Sequence, residues 1–234
     1  MNRVNSIILY ILCLLYFGFS PVYAQQTIFN VPSAEITPKG HVLVEPEFQF
    51  TPWKPGRNML NTDYLIVGVG HNTEVGLLLY NVSVPASDNI TLAPGFKSVI
   101  PVFSKKYPNL ELKAIGGTEI LVSVQGGEVG NWSFSELNGR IPKLKTRLTG
   151  GISVGTKQIF GRNAVSFIGG VEQPVTKHFS IQADWFSGTH SNGFFIPGFA
   201  YAFPKNTTLY VGYQIPNNSR CGKSGFVIEL AKIF

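Results

Sequence analysis

Polar and apolar residues alternate with a period of two along most of this chain. Between Leu144 and Gly155, for example, Leu148 and Ile152 occupy one set of positions, while Arg147 and Ser153 occupy the other. Successive side chains of a β-strand point to opposite faces, so this pattern predicts a strand that is apolar on one face and polar or small on the other. The same alternation recurs at intervals up to the last residue.

The alternation predicts a strand in each of the following segments: residues 40–50, 60–70, 74–82, 89–102, 109–124, 130–140, 144–157, 163–173, 178–188, 193–203, 206–216 and 224–234. Tight turns are predicted at Ser104–Pro108 and at four other connections: His71–Thr73, Ile141–Lys143, Pro174–Lys177 and Pro204–Lys205. These turns alternate with looser connections rich in Gly, Asn and Pro. An antiparallel meander with short turns at one end and longer loops at the other gives this arrangement. The predicted fold is therefore all-β, an up-and-down antiparallel barrel of about 12 strands.

The apolar face of such a barrel points either inward to a dry core or outward to lipid, and alternation alone does not choose between them. Strands of ten or more residues match the ~9–11 residues that cross a bilayer at a tilt. The apolar faces also end in aromatic residues such as Phe48, Trp185 and Phe203, which favour a membrane interface. We therefore predict a transmembrane barrel with its apolar face outside, and a soluble barrel as the alternative.

The first residues have the pattern of a secretory signal. Arg3 precedes the apolar stretch Ile7–Phe19, and Val22-Tyr23-Ala24 supplies the short residues of a cleavage site. An apolar helix of about 13 residues rises only about 20 Å, short of the ~30 Å hydrocarbon core. We predict a signal peptide over residues 1–24, an N-terminal periplasmic segment or plug over residues 25–39, and the barrel over residues 40–234.

The last strand carries the most specific signal. Phe226, Leu230, Lys232 and Phe234 lie on one face, and Phe234 is the final residue. This strand resembles the terminal strand by which bacterial outer-membrane barrels are recognised during assembly, which implies that Phe234 is an assembly signal. Lys232 lies close to the interface, where a lipid-facing charge costs about 0–1 kcal/mol.

Short motifs extend this resemblance over most of the mature chain. They are Asn30–Ala34, Pro38–Gly40, Ala93–Lys97, Ala183–Gly188 and Ile196–Tyr201. The chain resembles a family of bacterial outer-membrane barrels and is similar to the group named for a transporter of the aromatic meta pathway. The resemblance implies a Gram-negative outer-membrane location and a barrel fold, but little specific biochemistry.

Composition narrows the possible functions. The chain is 44% hydrophobic and only 14% charged, with 18 Phe, which excludes intrinsic disorder. Basic residues are dispersed, Lys105-Lys106 being the longest run, so no nucleic-acid partner is expected. The four His residues lack metal-ligand spacing, Cys221 is the only cysteine after the signal, and no cofactor motif is present. The expected partners are outer-membrane lipid, the barrel-assembly machinery and a small solute.

The polar face supplies the candidate functional residues. The predicted lumen-lining residues are Glu45, Glu47, Lys97, Glu111, Lys113, Glu119, Lys145, Arg147, Glu172, Asp184 and Glu229. They either line a small pore for passive passage of a solute or pair into a lattice that fills a closed structural barrel. A third hypothesis is a lipid hydrolase, because His190-Ser191-Asn192-Gly193 resembles the His-x-Ser-Asn element of outer-membrane phospholipases and lipid A deacylases. Adjacent residues of a strand point to opposite sides, however, so no catalytic residue is predicted.

Overall fold

The computed structural model describes residues 27–53, 57–84, 90–126 and 128–234. The predicted signal peptide, residues 1–24, lies outside these ranges, as do parts of three predicted loops. The strands are β1 (Val42–Thr51), β2 (Asn58–Gly70), β3 (Thr73–Val84), β4 (Thr91–Pro101), β5 (Lys113–Ser123), β6 (Val129–Arg140), β7 (Arg147–Gly155), β8 (Ala164–Pro174), β9 (Phe179–Phe186), β10 (Phe194–Phe203), β11 (Thr207–Pro216) and β12 (Gly225–Ile233). A short helix, α1 (Lys157–Phe160), and a 3-10 turn at Pro108–Leu110 interrupt the meander. Neither of these helical pieces of the described chain is long or apolar enough to cross a membrane.

Each strand pairs with its neighbours in sequence, and β12 closes the sheet by pairing with β1. In that last pair, Leu43 lies opposite Ile233 and Phe50 lies opposite Phe226. All the pairings are antiparallel, so the predicted up-and-down barrel is confirmed. Closure leaves no unpaired sheet edge, and the hydrocarbon of a bilayer does not tolerate unpaired backbone groups.

The two ends of the barrel differ. The end where the chain enters β1 and leaves β12, which we call the turn end, holds the shorter connections. Its β2–β3 turn consists of His71 and Asn72, whose φ angles of 52° and 54° define a turn that follows the right-handed twist of the strands. The opposite end, which we call the loop end, includes the β7–β8 connection that carries α1.

One connection at the turn end differs from the prediction. The tight turn expected at Ser104–Pro108 is a longer connection from Val102 to Leu112, and β5 begins at Lys113 rather than at residue 109. Pro108 opens a 3-10 turn there, because proline fixes φ and has no N–H to donate to a sheet ladder.

The faces of the strands follow the predicted alternation, and the apolar side chains point outward. Leu148 and Ile181 are 48% and 54% exposed, whereas Thr149 and Gln182, next to them in sequence, are buried. Large apolar side chains occupy the outside of most strands in this way; β6 differs, because Asn131, Ser133 and Ser135 lie between its exposed Val129 and Leu137. A monomer in water does not present so extensive an apolar surface. The prediction of an apolar exterior is confirmed.

Aromatic side chains form clusters at both ends of this exterior. At the loop end, the Phe226 ring lies 5.2 Å from that of Phe50 and 5.1 Å from that of Tyr213, measured between centroids. At the turn end, the Tyr201 and Phe203 rings are 4.9 Å apart. Two aromatic clusters separated by aliphatic residues match the interfacial girdles of transmembrane barrels.

Candidate functional site: a plugged lumen with two cavities

The barrel encloses most of the residues that the sequence predicts to line it. Glu45, Glu47, Lys97, Glu119, Asp184 and Glu229 are buried inside, and Lys113, Arg147 and Glu172 are half-buried there. The interior is therefore rich in charged side chains. Burying a charge is costly unless a partner compensates it, so the partners of these residues define what the lumen can do.

Two of the predicted lumen-lining residues lie outside the strands, at the turn end. Glu111 ends the 3-10 turn before β5 with a φ of 45°, and its carboxylate pairs with Arg140 at the turn end. Lys145 lies in the β6–β7 turn with a φ of 58°, is exposed, and precedes β7, which begins at Arg147. A left-handed residue interrupts the extended backbone, so the alternation that assigned these two side chains to the lumen stops before it reaches them.

Several luminal residues were not predicted from the sequence, and Glu74 is the clearest case. Glu74 and Lys97 lie opposite each other on β3 and β4, and their side chains form an ion pair of 3.1 Å in which both are almost fully buried. Leu78 also points inward on β3, so that face does not look polar in the sequence. The cross-strand register with Lys97 is the signal that could have identified Glu74.

Residues 27–37, which we call the plug segment, lie inside the barrel. Ile28, Phe29, Val31 and Ser33 are each 0% exposed. A short turn begins the segment, with the Ile28 N–H donating to the Val31 carbonyl at 2.7 Å. The described part of the predicted 25–39 segment thus runs through the lumen before the chain enters β1.

A single carboxylate holds this turn against the barrel wall. The backbone N–H groups of Phe29, Asn30 and Val31 all donate to Asp184 Oδ2 on β9, at 2.9, 2.6 and 2.8 Å. Three successive N–H groups that converge on one oxygen form an anion-binding nest. From the same strand, Gln182 Nε2 donates to the Ile28 carbonyl at 2.8 Å. Asp184 is therefore compensated by the backbone of the plug segment.

Glycines on the wall make room for the segment. A Cβ atom on Gly170 of β8 would lie 2.3 Å from Ile28 Cδ1, and one on Gly198 of β10 would lie 2.5 Å from Phe29 Cζ. Real Cβ contacts are not that short, so larger residues at these positions require the segment to move. The small residues of β8 and β10 form a groove that fits the segment's apolar side chains.

Further contacts fix the rest of the plug segment near the turn end. The Thr37 N–H donates to Glu74 Oε2 at 2.7 Å, and Glu35 forms an ion pair with Arg147. Lys113 Nζ donates to the carbonyl of Ala34 at 3.4 Å. The segment therefore has anchors on β3, β5, β7 and β9, and it supplies counter-charges and acceptors to luminal side chains.

The plug segment borders a cavity at each end of the lumen. The loop-end cavity has a volume of about 160 Å³, and Thr27, Asn30 and Pro32 of the segment line it. Its walls carry the carboxylates of Glu47 and Glu119, and none of the described lining residues is Lys, Arg or His. This cavity therefore favours neutral or positively charged solutes.

The turn-end cavity has the opposite character. Its volume is about 250 Å³, and the plug segment contributes Glu35 to its lining. The Lys and Arg side chains that line it are Arg140, Lys145, Arg147 and Lys177, and His178 borders it too, against the carboxylates of Glu35 and Glu172. The charges that line the two cavities are thus divided. Carboxylates line the loop-end cavity, whereas basic side chains outnumber carboxylates around the turn-end cavity.

The hydrogen bonds of His190 do not match those of a hydrolase. Ser191 Oγ donates to the Ile159 carbonyl at 2.6 Å, whereas His190 Nε2 lies 2.5 Å from Ser166 Oγ. The Asn192 N–H donates to His190 Nδ1, so in the neutral ring the proton is on Nε2 and points to Ser166. In this arrangement His190 donates to Ser166 rather than accepting its proton, and Ser191, the serine of the predicted motif, bonds to a backbone carbonyl instead of to His190.

His190 instead stabilises the β9–β10 loop. Its ring stacks on Phe160 of α1 with 4.1 Å between centroids. Burial lowers the pKa of the His190 imidazole below its ordinary value of 6.5. No group of His, Cys, Asp or Glu side chains in the described ranges is arranged to hold a metal ion.

The closed twelve-stranded barrel, with an apolar exterior and a charged interior, has the architecture of the transmembrane β-barrel class. No family model and no curated protein matches the chain. Among solved structures, the chain is similar to one described as "KdgM porin in complex with disordered oligogalacturonate", with a TM-score of 0.53 and 11% sequence identity. The match covers 83% of this chain and 99% of that one. The two proteins share the fold.

Proposed function

We propose that this protein is an outer-membrane channel for a small solute, exported through a signal peptide, residues 1–24, that is cleaved. The observation that carries the proposal is the closed barrel whose apolar side chains face outward and whose polar lumen holds a cavity at each end. A barrel that only anchored itself in lipid would gain nothing from buried charges, which cost free energy unless they are paired. The similar fold of the KdgM porin supports this function.

In this proposal the plug segment controls passage. It lies between the two cavities, and polar groups hold it at several points, above all the three hydrogen bonds to Asp184. Because a cavity lies on each side of the segment, its polar contacts can be replaced by contacts with water. The contacts within a tightly packed apolar core cannot be replaced in this way. Displacement of the segment would join the cavities into one path.

The proposal includes the partners expected from the sequence. The exterior belt contacts outer-membrane lipid, and the terminal strand with Phe234 engages the barrel-assembly machinery. We also propose, on the motif Ile196–Tyr201 and the others that carry the resemblance, that the chain belongs to the group named for a transporter of the aromatic meta pathway.

Conductance tests the channel directly. The purified full-length protein is reconstituted in planar lipid bilayers, and its folded state is verified by heat-modifiable migration in gels. We expect discrete openings that become more frequent in the Asp184→Asn variant, which weakens the nest. A folded barrel that conducts in neither form contradicts the channel and leaves a closed structural barrel.

The lipid-hydrolase hypothesis has a separate test. Because His190 Nε2 faces Ser166 and the Ser191 hydroxyl is committed to a backbone carbonyl, we expect no deacylation of phospholipid or lipid A by the purified barrel. Deacylation that disappears in Ser191→Ala or Ser166→Ala would restore that hypothesis.

A further inference from the structure

The loop-end cavity has an aromatic wall and an acidic wall. The aromatic wall is formed by Trp132 and Phe134 of β6, with ring centroids 4.9 Å apart, and by Phe186 of β9, whose ring lies 6.2 Å from that of Trp132. The acidic wall contains Glu47 of β1 and Glu119 of β5. Both walls border the same cavity.

The two walls meet where β5 pairs with β6. Glu119 lies directly opposite Trp132 in the register, and both side chains point into the lumen. The Cβ atoms of such facing residues are about 4.5–5.5 Å apart, so the carboxylate and the indole ring border the same part of the cavity. On the same strand pair, the Phe134 ring lies over Gly117, where a Cβ atom would be 2.5 Å from Phe134 Cζ. The aromatic surface thus extends across β5 beside the carboxylate.

The carboxylate is held in a fixed position. The Tyr80 hydroxyl donates to Glu119 Oε2 at 2.8 Å.

The Trp132 indole Nε1 has no hydrogen-bond partner within the part of the chain that the structure describes, although Trp132 is only 7% exposed. A buried donor of this kind is costly to leave unpaired, so a ligand with a hydroxyl or carbonyl oxygen near the ring would relieve that cost.

These features together suit a positively charged organic ligand. The face of an aromatic ring attracts a cation, and a nearby carboxylate supplies the counter-charge. Methyl or methylene groups on the cation also pack against the rings and leave water. An anion would meet two carboxylates and, among the described lining residues, no basic side chain.

We propose that the loop-end cavity is a binding site for a small organic ammonium ion, with Trp132 and Phe134 against its carbon atoms and the Glu119 carboxylate as its counter-ion. The cavity volume of about 160 Å³ limits the ligand to a few heavy atoms beyond the ammonium group. The inference that this site selects the transported solute depends on the proposed channel function. The inference that the site binds an organic ammonium ion does not.

Calorimetry on the full-length protein in detergent tests the site, with choline as the probe and 3,3-dimethylbutan-1-ol as its uncharged isostere. We expect choline to bind at least about tenfold more tightly than the isostere, and Glu119→Gln and Trp132→Leu each to weaken choline binding about tenfold. The amide oxygen in the Glu119→Gln variant can still accept the hydrogen bond from the Tyr80 hydroxyl, so this variant removes the charge and keeps the contact. The matched control is Trp185→Leu, because Trp185 points outward from β9, and there we expect unchanged affinity.

Three results overturn the site. They are equal affinity for choline and its isostere, no choline binding up to about 10 mM, and wild-type affinity in a folded Glu119→Gln variant. Heat-modifiable migration verifies that each variant is folded. The outcome is separable from that of the channel: a barrel that binds choline but never conducts contradicts only the channel, and one that conducts without binding choline contradicts only this site.

Discussion

Replacement of Asp184 by Asn tests how firmly the plug segment is held. Asn keeps an oxygen that can accept from Phe29, Asn30 and Val31 but removes the negative charge. Hydrogen bonds to a charged group contribute about 1.5–3 kcal/mol each, against about 0.5–1.5 kcal/mol for neutral ones. The loss is therefore about 1 kcal/mol per bond.

Because the three N–H groups share a single oxygen, their contributions are not independent. We take the total loss as about 1–3 kcal/mol, which shifts the equilibrium between seated and displaced segment about 5- to 150-fold towards the displaced form. In planar bilayers, the open probability should rise by a factor in this range, and the conductance of a single open channel should stay the same.

A labelling experiment separates displacement of the segment from other causes of opening. Ser33 is fully buried, so a cysteine placed there in a Cys221→Ser background reports the displaced form through its reaction rate with a maleimide. The rate should rise in Asp184→Asn and stay unchanged in Asp63→Asn, a carboxylate on the outer face of β2. Unchanged labelling and unchanged open probability in the folded Asp184→Asn barrel would refute the reasoning.

Further predictions concern the groove, the terminal strand and the loop. Gly170→Leu should raise the open probability, because its side chain overlaps Ile28; wild-type gating in bilayers would contradict the groove. Phe234→Ala should lower assembly in cells but leave refolding in detergent unchanged, because its backbone bonds to β1 remain; equal assembly in cells contradicts a signal. Neutral His190 should stabilise the loop fully above about pH 6.5, and this contribution should be lost as the pH falls through the lowered pKa. Thermal unfolding should therefore depend on pH in this range in the wild type and much less in His190→Gln.

Most of the barrel could be predicted because the alternation that defines the two faces of a strand is set by residues that are neighbours in sequence. A strand's two faces follow from which residues alternate, and β12 shows the predicted faces with Phe226, Leu230 and Phe234 outside. Local interruptions defeat the same reasoning. Glu111 and Lys145 belong to apparently alternating runs, but each adopts a left-handed backbone conformation that no side-chain pattern reveals.

The functional part of the lumen depends on contacts that are distant in sequence. Asp184 was predicted to face the lumen, but its partners are backbone N–H groups about 155 residues away, and backbone groups have no sequence signature. Trp132 and Phe134 point inward, although the aromatic residues on which the prediction of a transmembrane barrel rested, such as Phe48 and Trp185, lie on the outward face. The aromatic wall could only be recognised once the register placed Trp132 opposite Glu119.

The charges in the lumen also limit how the plug segment can leave. In the seated form, Arg147 is paired with Glu35 of the segment, and the segment's backbone compensates Asp184. If the segment leaves, both side chains lose these partners. Arg147 is half-buried and borders the turn-end cavity, but Asp184 is deeply buried, and an unpaired buried charge is strongly unfavourable. Water must therefore enter as the segment departs. An opening that hydrates charged groups on both sides gives a water-filled path rather than a dry one, so the contacts that hold the segment in place also determine that the open lumen conducts polar solutes.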